Sequence, residues 1–315
     1  MATTFDNSSS TYNGEAAADY LSAALLSGKT LNDGAITIKP NVKFKHVLRT
    51  LSLTGAIADA TCDFTDTGDV TLGEVELTPK DLQVNLQFCK SNFIDDWDAI
   101  SMGYSAHDVI PKNFSDYMLG HIAGQISESI ENHIWQGDDS AGSGFNLFEG
   151  FEQRISTTNV AGMGSTSITS GNVIDFLGGV VDGVPSAVYG KEDLTIYVPN
   201  NVFQAYVRAL GGFAADGLGA AGVDSKGTTF YSMGAGLTYE GIKIQRCPGM
   251  SNNKAIAAQA SNLYFGTGLL NDTNEVKLID MADIDGSKNV RMIARFTAAT
   301  QVGIVGDAKH FVPVS

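Results

Sequence analysis

Cysteine is scarce in this 315-residue chain, and its three copies, Cys62, Cys89 and Cys247, form no C-x-x-C pair. An odd, scattered set supports neither a disulfide framework nor a zinc knuckle, which makes a reducing compartment the simplest setting. Positive charge is short as well: 20 Lys and Arg against 35 Asp and Glu leave a formal charge of −15. A balance of that sign excludes a protein that grips phosphate backbones through a basic surface field. Charged residues of either sign reach only 17%, against about a quarter in ordinary globular domains. Long apolar runs are missing too, since no stretch approaches the roughly 18 apolar residues that mark a membrane span. The opening Met1-Ala2-Thr3-Thr4-Phe5-Asp6 has neither the basic cluster nor the apolar core of an export signal. Neither membrane insertion nor secretion is expected, and the Asn-x-Ser/Thr triplets at Asn7, Asn113 and Asn271 are then chance matches.

Glycine is plentiful, at 35 residues, and the length allows about two domains or one large one with its own core. Residues 1–14 are mostly Ser, Thr, Asn and Asp, an arm with little to bury. A short helix is expected next, with Tyr20, Leu21, Ala24 and Leu25 on one stripe and Gly28 at its stop. From Ile36 to Phe88 the period changes to two. Ile36, Ile38, Val42 and Phe44 alternate with polar residues, as do Leu82, Val84, Leu86 and Phe88. Between these ends, Thr54 to Gly73 is rich in Gly, Ala, Thr and Asp, and the whole reads as a two-stranded excursion with a polar tip.

Charge is segregated along this excursion. Lys39, Lys43, Lys45 and Arg49 stand together without an acid, whereas Asp59, Asp63, Asp66, Asp69, Glu74, Glu76 and Asp81 face only Lys80. Either the two strands pair opposite charges across a solvated hairpin, or a protruding flap carries them to a neighbouring subunit. The candidate contact residues are Lys39, Lys43, Lys45, Arg49, Asp63, Asp66, Asp69, Glu74 and Glu76.

The longest helical pattern runs from Ser115 to Gln136: Met118, Ile122, Ile126, Ile130 and Ile134 recur every fourth residue, Leu119 and Ala123 widen the stripe, and Gly137 marks the stop. Asp116, Glu128 and Glu131 belong to its polar side, with His121 and His133 on or near it. Residues 137–171 read as a connection with a weak helix around Phe148 to Ile155. A second unit follows. Val173, Ile174, Leu177, Val180 and Val181 share a helical face, Leu194 to Val198 is a buried strand, and Pro199 precedes a helix with Val202, Phe203, Tyr206, Val207 and Leu210. Short strands are expected at Ile242 to Ile244, Leu263 to Phe265, Val276 to Ile279, Val290 to Phe296, Thr300 to Val305 and Phe311 to Val314. The order predicts an α+β fold with a sheet covered by helices.

Motifs with chemical meaning fail on context. Gly217-Leu218-Gly219-Ala220-Ala221-Gly222 spells the dinucleotide fingerprint, but neither strand precedes it nor helix follows it, and a glycine-rich loop at 211–227 is the better account. Asp63 to Glu74 has acids at positions 1 and 12 and Gly68 at position 6 of a calcium loop, yet Thr65 and Thr67 stand where oxygen-rich ligands belong. Asp95, Asp96 and Asp98 around Trp97 fit a solvated or capping cluster better than paired catalytic acids. No nucleophile elbow, zinc-protease helix, Walker loop or kinase set is present. No cofactor and no catalytic activity are expected.

The sequence of parts resembles the major capsid protein of tailed bacteriophages of the Hong Kong 97 type. The likeness lies in the polar arm, the hairpin excursion, the long helix Ser115 to Gln136, and Leu194-Thr195-Ile196-Tyr197-Val198-Pro199-Asn200 leading into Val202 to Leu210. Tyr239 to Pro248 and the closing strands Arg291 to Phe296 and Gln301 to Gly306 complete it. The resemblance implies an N-arm at 1–35, an extended E-loop at 36–88, a peripheral P-domain at 89–150 with 285–315 built on a spine helix, and an A-domain of a central sheet flanked by helices at 151–284. It further implies hexamers and pentamers forming an icosahedral head around double-stranded DNA held without sequence specificity. Portal, scaffold and decoration proteins would be partners, with assembly in the host cytoplasm and the virion as destination. With no large scaffolding domain ahead of the arm, a separate scaffold protein or a different assembly route is expected. The alternatives are an encapsulin-like nanocompartment shell with the same fold, a nucleotide-dependent oxidoreductase resting on the glycine loop, and a tail-tube or adhesin protein.

Overall fold

The computed structural model describes residues 28–55, 57, 59–60, 62, 68–89, 112–160, 167–211, 237–268 and 276–313. The arm and the helix expected around Tyr20 lie outside them. Gly28 itself stands at the start of a single helical turn, α1 (Lys29–Asn32).

Two sheets and a ribbon organise the chain. The five-stranded sheet centres on β12 (Asn289–Val302), fourteen residues long. One edge of β12 pairs antiparallel with β4 (Lys80–Cys89), and the other pairs first with β11 (Val276–Asp280) and then with β10 (Leu263–Thr267). Strand β1 (Thr37–Lys39) lies parallel to β10. The six-stranded sheet runs β5 (Thr157–Val160), β13 (Lys309–Pro313), β9 (Ala255–Gln259), β6 (Leu194–Val198), β8 (Ile242–Arg246), β7 (Thr238–Tyr239). The ribbon is a separate antiparallel pair, β2 (His46–Thr54) with β3 (Asp69–Leu77).

Several expectations need correction. Leu82 to Phe88 is a strand, but not the second leg of the excursion: it pairs along the whole first part of β12, and the second leg is β3, which had been read partly as tip. Period two alone cannot say which partner a strand takes. Val42 to Lys45 precedes β2 and is not a strand. Val290 to Phe296 and Thr300 to Val302 are one strand, because the small Thr297, Ala298 and Ala299 continue the ladder onto β10. Strand pairing also crosses the expected domain boundaries. Strands β10 and β11, placed with 151–284, belong to the sheet of β12, and β13, placed with 285–315, belongs to the six-stranded sheet.

Two cores lie on either side of the six-stranded sheet. Leu194, Ile196 and Val198 of β6 and Ala255 and Ala257 of β9 point to one side, where α4 (Val173–Asp182) and α5 (Asn200–Gly211) supply Phe176, Leu177, Val180, Val202 and Tyr206. Tyr197 and Ile256 point to the other, which they share with the long helix α2 (Lys112–Gln136) and with Val290, Met292, Ala294, Phe296 and Ala298 of β12. Burial on both faces explains the uninterrupted apolar run of β6. Ile174, expected on the apolar face of α4, is 39% exposed.

The described side chains of α2 keep the expected stripe, with Ile122, Ile126, Ile130 and Ile134 all buried. Its supposed polar side is partly internal. Glu131 and His133 are buried at 5% and 4% exposure. Glu131 accepts hydrogen bonds from the Thr30 backbone N–H, at 3.1 Å, and from its hydroxyl, while the Trp135 indole N–H donates to Thr30 Oγ1 at 2.9 Å. Thus the helix that looked half solvated carries a polar clamp fastening α1 to the core. Directly after α2, residue 137 must be glycine, since an added Cβ would collide with the Phe148 carbonyl. The connection that follows contains α3 (Phe151–Arg154) and the unforeseen β5.

Candidate assembly interface

Alternation on two strands becomes a two-faced ribbon once the register is known. Residues opposite each other in an antiparallel pair project to the same side, and here Leu51 faces Leu72 and Leu53 faces Val70. These four side chains are 68%, 71%, 57% and 58% exposed. The other side carries Thr50, Ser52, Thr54, Asp69, Thr71 and Gly73. Nine residues at about 3.4 Å each give a reach of about 30 Å. A contiguous apolar patch on a projecting element that the body leaves uncovered marks a surface for association.

An isolated two-stranded hairpin is marginal in water, so the root matters. Leu77 is fully buried with Val42 and Ala299, and Gly266 leaves it room, a Cβ there falling 2.7 Å from Leu77 Cδ2. The side-chain amide of Gln301 donates to the Glu76 carbonyl at 2.7 Å, and its Oε1 accepts from Arg154 at 3.1 Å. Arg154 in turn meets Glu149 at 3.3 Å. Lys80, where the chain leaves the ribbon for β4, pairs with Asp139 in the loop after α2. The ribbon is therefore an apolar-tipped lever fastened at its root to both β12 and the segment following the long helix.

The charged candidates divide. Lys45 pairs with Glu76, and Arg49 lies 3.6 Å from Glu74, its cross-strand neighbour. Opposite charges do pair within the hairpin, and being exposed each contributes about 0–1 kcal/mol. Lys39 is not on the ribbon: it belongs to β1, with its ammonium 5.4 Å from the Tyr264 ring centroid. Lys43 is exposed on the link before β2, and Asp69 is exposed at the start of β3. Asp63 and Asp66 lie outside the described residues, as do the glycine motif 217–222 and Asp95, Asp96 and Asp98. Composition hides half of the patch Leu51, Leu53, Val70, Leu72, since Val70 and Leu72 sit within the polar stretch Thr54 to Gly73. The alternation of Val70 and Leu72 with Thr71 was the available signal.

Groups with catalytic potential are otherwise engaged. Cys247 is fully buried and burial pushes its thiol well up, away from the reactive thiolate. The Glu152 carboxylate accepts from the Ser251 backbone and hydroxyl, both at 2.8 Å, and from Lys254 at 2.7 Å, fastening α3 to the turn before β9. Desolvation holds His133 and His310 below the usual imidazole range, and each has an Nε2 with no hydrogen-bond partner among the described residues. Desolvation raises the Glu131 carboxyl, against the Thr30 donors that lower it. Among the described residues no cluster of three or more His, Cys, Asp or Glu could hold a metal ion, and no helix is long and apolar enough to cross a membrane.

No family model and no curated protein matches the chain. Solved structures do. A chain of the satellite phage P4 procapsid structure that includes the size determination (Sid) protein aligns with TM-score 0.55 at 12% identity, covering 93% of this chain and 98% of that one. The capsid of the native GTA particle aligns with TM-score 0.59 at 13% identity, covering 93% and 91%. The capsid of Myoviridae phage XM1 gives 0.55 at 13% identity, covering 91% and 92%. The chain has the Hong Kong 97-type fold of phage capsid proteins, over nearly its full length.

Proposed function

We propose that this chain is the major capsid protein of a tailed bacteriophage, a shell subunit without catalytic activity that assembles as hexamers and pentamers into an icosahedral head around double-stranded DNA. The observation that carries the reading is the ribbon: an extended lever with a rigid root and an apolar patch that its own body leaves bare, on a chain whose fold is that of capsid subunits. A subunit gains burial for such a patch from a neighbour, and a closed symmetric lattice repeats the gain at every copy. The net charge of −15 suits a wall that does not bind its contents tightly.

In this reading residues 1–35 are the arm, the ribbon is the working part of the extended loop at 36–88, and α2 with the β12 sheet forms the peripheral domain. The six-stranded sheet with α4 and α5 forms the axial domain, its membership set by strand pairing rather than by blocks of sequence. Portal, scaffold and decoration proteins are the partners, assembly takes place in the host cytoplasm, and the mature location is the virion. Negative-stain electron microscopy of the chain, expressed alone and with its genomic neighbours, is the direct test. Closed shells or capsomers support the proposal, and a dispersed 33.2 kDa species under both conditions overturns it.

A further inference from the structure

The connection between α2 and α3 closes on itself. At its neck the Gly150 N–H donates to the Gly137 carbonyl at 2.8 Å, and an added Cβ on either glycine would collide with backbone across the neck. Inside the loop the Asp138 N–H donates to the Phe145 carbonyl at 2.8 Å, and the Asp138 carboxylate accepts from the Ser140 N–H at 3.0 Å and from its hydroxyl at 2.6 Å. Residues 138–149 thereby form an Ω-shaped flap held by its own contacts. Most of it is exposed, Phe145 and Leu147 included, but Phe148 is turned inward at 2% exposure.

His133, on the last turn of α2, lies beneath this flap. Its ring centroid is 5.4 Å from that of Phe145, edge on, and 5.7 Å from that of Phe148. Nδ1 stands 2.7 Å from the Ser129 carbonyl, which only accepts, so the neutral ring carries its proton on Nδ1 and leaves Nε2 as a bare lone pair. That atom is buried with no hydrogen-bond partner among the described residues. The ionisable groups around it are engaged elsewhere. On the flap Asp138 is bound to Ser140, Asp139 to Lys80, and Glu149 to Arg154 at 3.3 Å. On α2 Glu128 is exposed and Glu131 turns to Thr30, and on α3 Glu152 is held by Lys254. Burial and the Ser129 carbonyl set the proton affinity of the ring, and burial dominates.

We propose that residues 138–149 are a proton-operated flap, closed over neutral His133 and opening in mild acid, with the rest of the chain still folded, when solvent delivers a proton to Nε2. In the closed flap that proton creates a buried charge and a second N–H with no acceptor, and burying either without a partner is costly. Lifting Phe145 and Phe148 lets water hydrate it. The open form, whose imidazole titrates near the ordinary 6.5, then binds more protons than the closed one, so opening rises as pH falls below that value. Few attachments oppose the movement. The Lys80–Asp139 pair is exposed and contributes about 0–1 kcal/mol, and the ribbon keeps its root at the buried Leu77 when that pair parts. Opening adds Phe148 to the already exposed Phe145 and Leu147, so acid uncovers an apolar patch that neutral pH withholds.

The test is hydrogen exchange of the full unassembled chain, read by mass spectrometry on peptides from the flap, from β6 and from the ribbon. Rates at about pH 7.5 and about pH 5.5 are compared after correction for the intrinsic pH dependence of exchange. Wild-type flap opening is expected to rise several-fold over that span, with about tenfold the limit for one histidine titrating near 6.5 when open, while β6 and the ribbon stay unchanged. H133F keeps an aromatic ring under the flap but offers no site for the proton, and its ratio is expected to stay near one. D139N is expected to keep the wild-type ratio, which separates His133 from the carboxylates of the flap. Should H133F fail to fold in a thermal melt, F145A, whose ring is already 38% exposed, uncovers the imidazole and is expected to speed exchange at neutral pH and shrink the ratio. Wild-type flap exchange that ignores pH overturns the proposal, as does an acid response that survives in H133F or F145A, that D139N abolishes, or that β6 shares equally. Particle formation is not read, so failure here leaves the shell reading standing.

Discussion

The ribbon and the central strand of the six-stranded sheet use similar residues to opposite ends. In β6, Leu-Thr-Ile-Tyr-Val is buried at every position, with two cores pressing on its faces. In β2, His-Val-Leu-Arg-Thr-Leu-Ser-Leu-Thr has no buried position, and Leu51 and Leu53 point into solvent. One strand is stabilised inside its own chain, whereas the other holds apolar area in reserve for another molecule. The body should therefore respond to mutation as a folded core, and the ribbon as an interface that the lone chain does not notice.

Breaking the body gives the largest effect. Trp135→Ala removes a fully buried ring whose centroid lies within 5.4 Å of those of Tyr197 and Phe151, and takes away the indole N–H that donates to Thr30 Oγ1. A loss of about 3–5 kcal/mol is expected, read as a lower denaturation midpoint of the unassembled chain. Changing Leu51 and Leu72 together to Ser should move that midpoint by no more than about 0.5 kcal/mol yet abolish particles in the electron microscope. A large stability loss from the ribbon pair, or none from Trp135, would erase the contrast between the two regions.

Acid sharpens the comparison. Neutral His133 and His310 are favoured in the fold by desolvation, which outweighs the partners that would hold a proton. Their folded pKa values lie below the unfolded one, so in that window the unfolded chain binds more protons and stability falls as pH drops through about 6.5 and below. Glu131 runs the other way, its raised carboxyl regaining stability as pH falls through its folded value. His133→Gln with His310→Gln should flatten the first part of the acid limb in a pH series of thermal melts. The exposed ribbon holds neither of these histidines, and its protease sensitivity should change little over that range.

The most local effect belongs to the joint between the regions. Gln301→Ala removes the bond to the Glu76 carbonyl and the acceptor for Arg154. A cost of about 1 kcal/mol is expected, seen as faster amide exchange at the base of β2 and β3 and little change in β6. Equal acceleration in β6 would show that root and body open as one unit.

How much was legible follows from which contacts are local. The four-residue recurrence of Ile122, Ile126, Ile130 and Ile134 announced both the helix and its buried stripe, and Leu194 to Val198 announced a strand buried on both faces. Glu131 was misread because a glutamate on a helix belongs outside unless a partner waits 101 residues away in sequence, as Thr30 does. Leu82 to Phe88 announced a strand without announcing β12 as its partner. Val70 and Leu72 of the ribbon patch sit in a stretch whose composition is polar, and only the register of β2 on β3 gathers them on one side with Leu51 and Leu53.

Most of the elements, their order and the acid balance of the chain follow from the sequence, because helix and strand periodicities and side-chain charge are properties of neighbouring residues. Only three-dimensional packing sets which strands pair, that Glu131 and His133 are inside, that Lys45 and Arg49 are matched in cis, and that Arg295 has no hydrogen bond or ion pair among the described residues. Those outcomes depend on where distant segments come to rest. Desolvation and pairing energies are set by three-dimensional neighbours, which spacing along the chain does not specify.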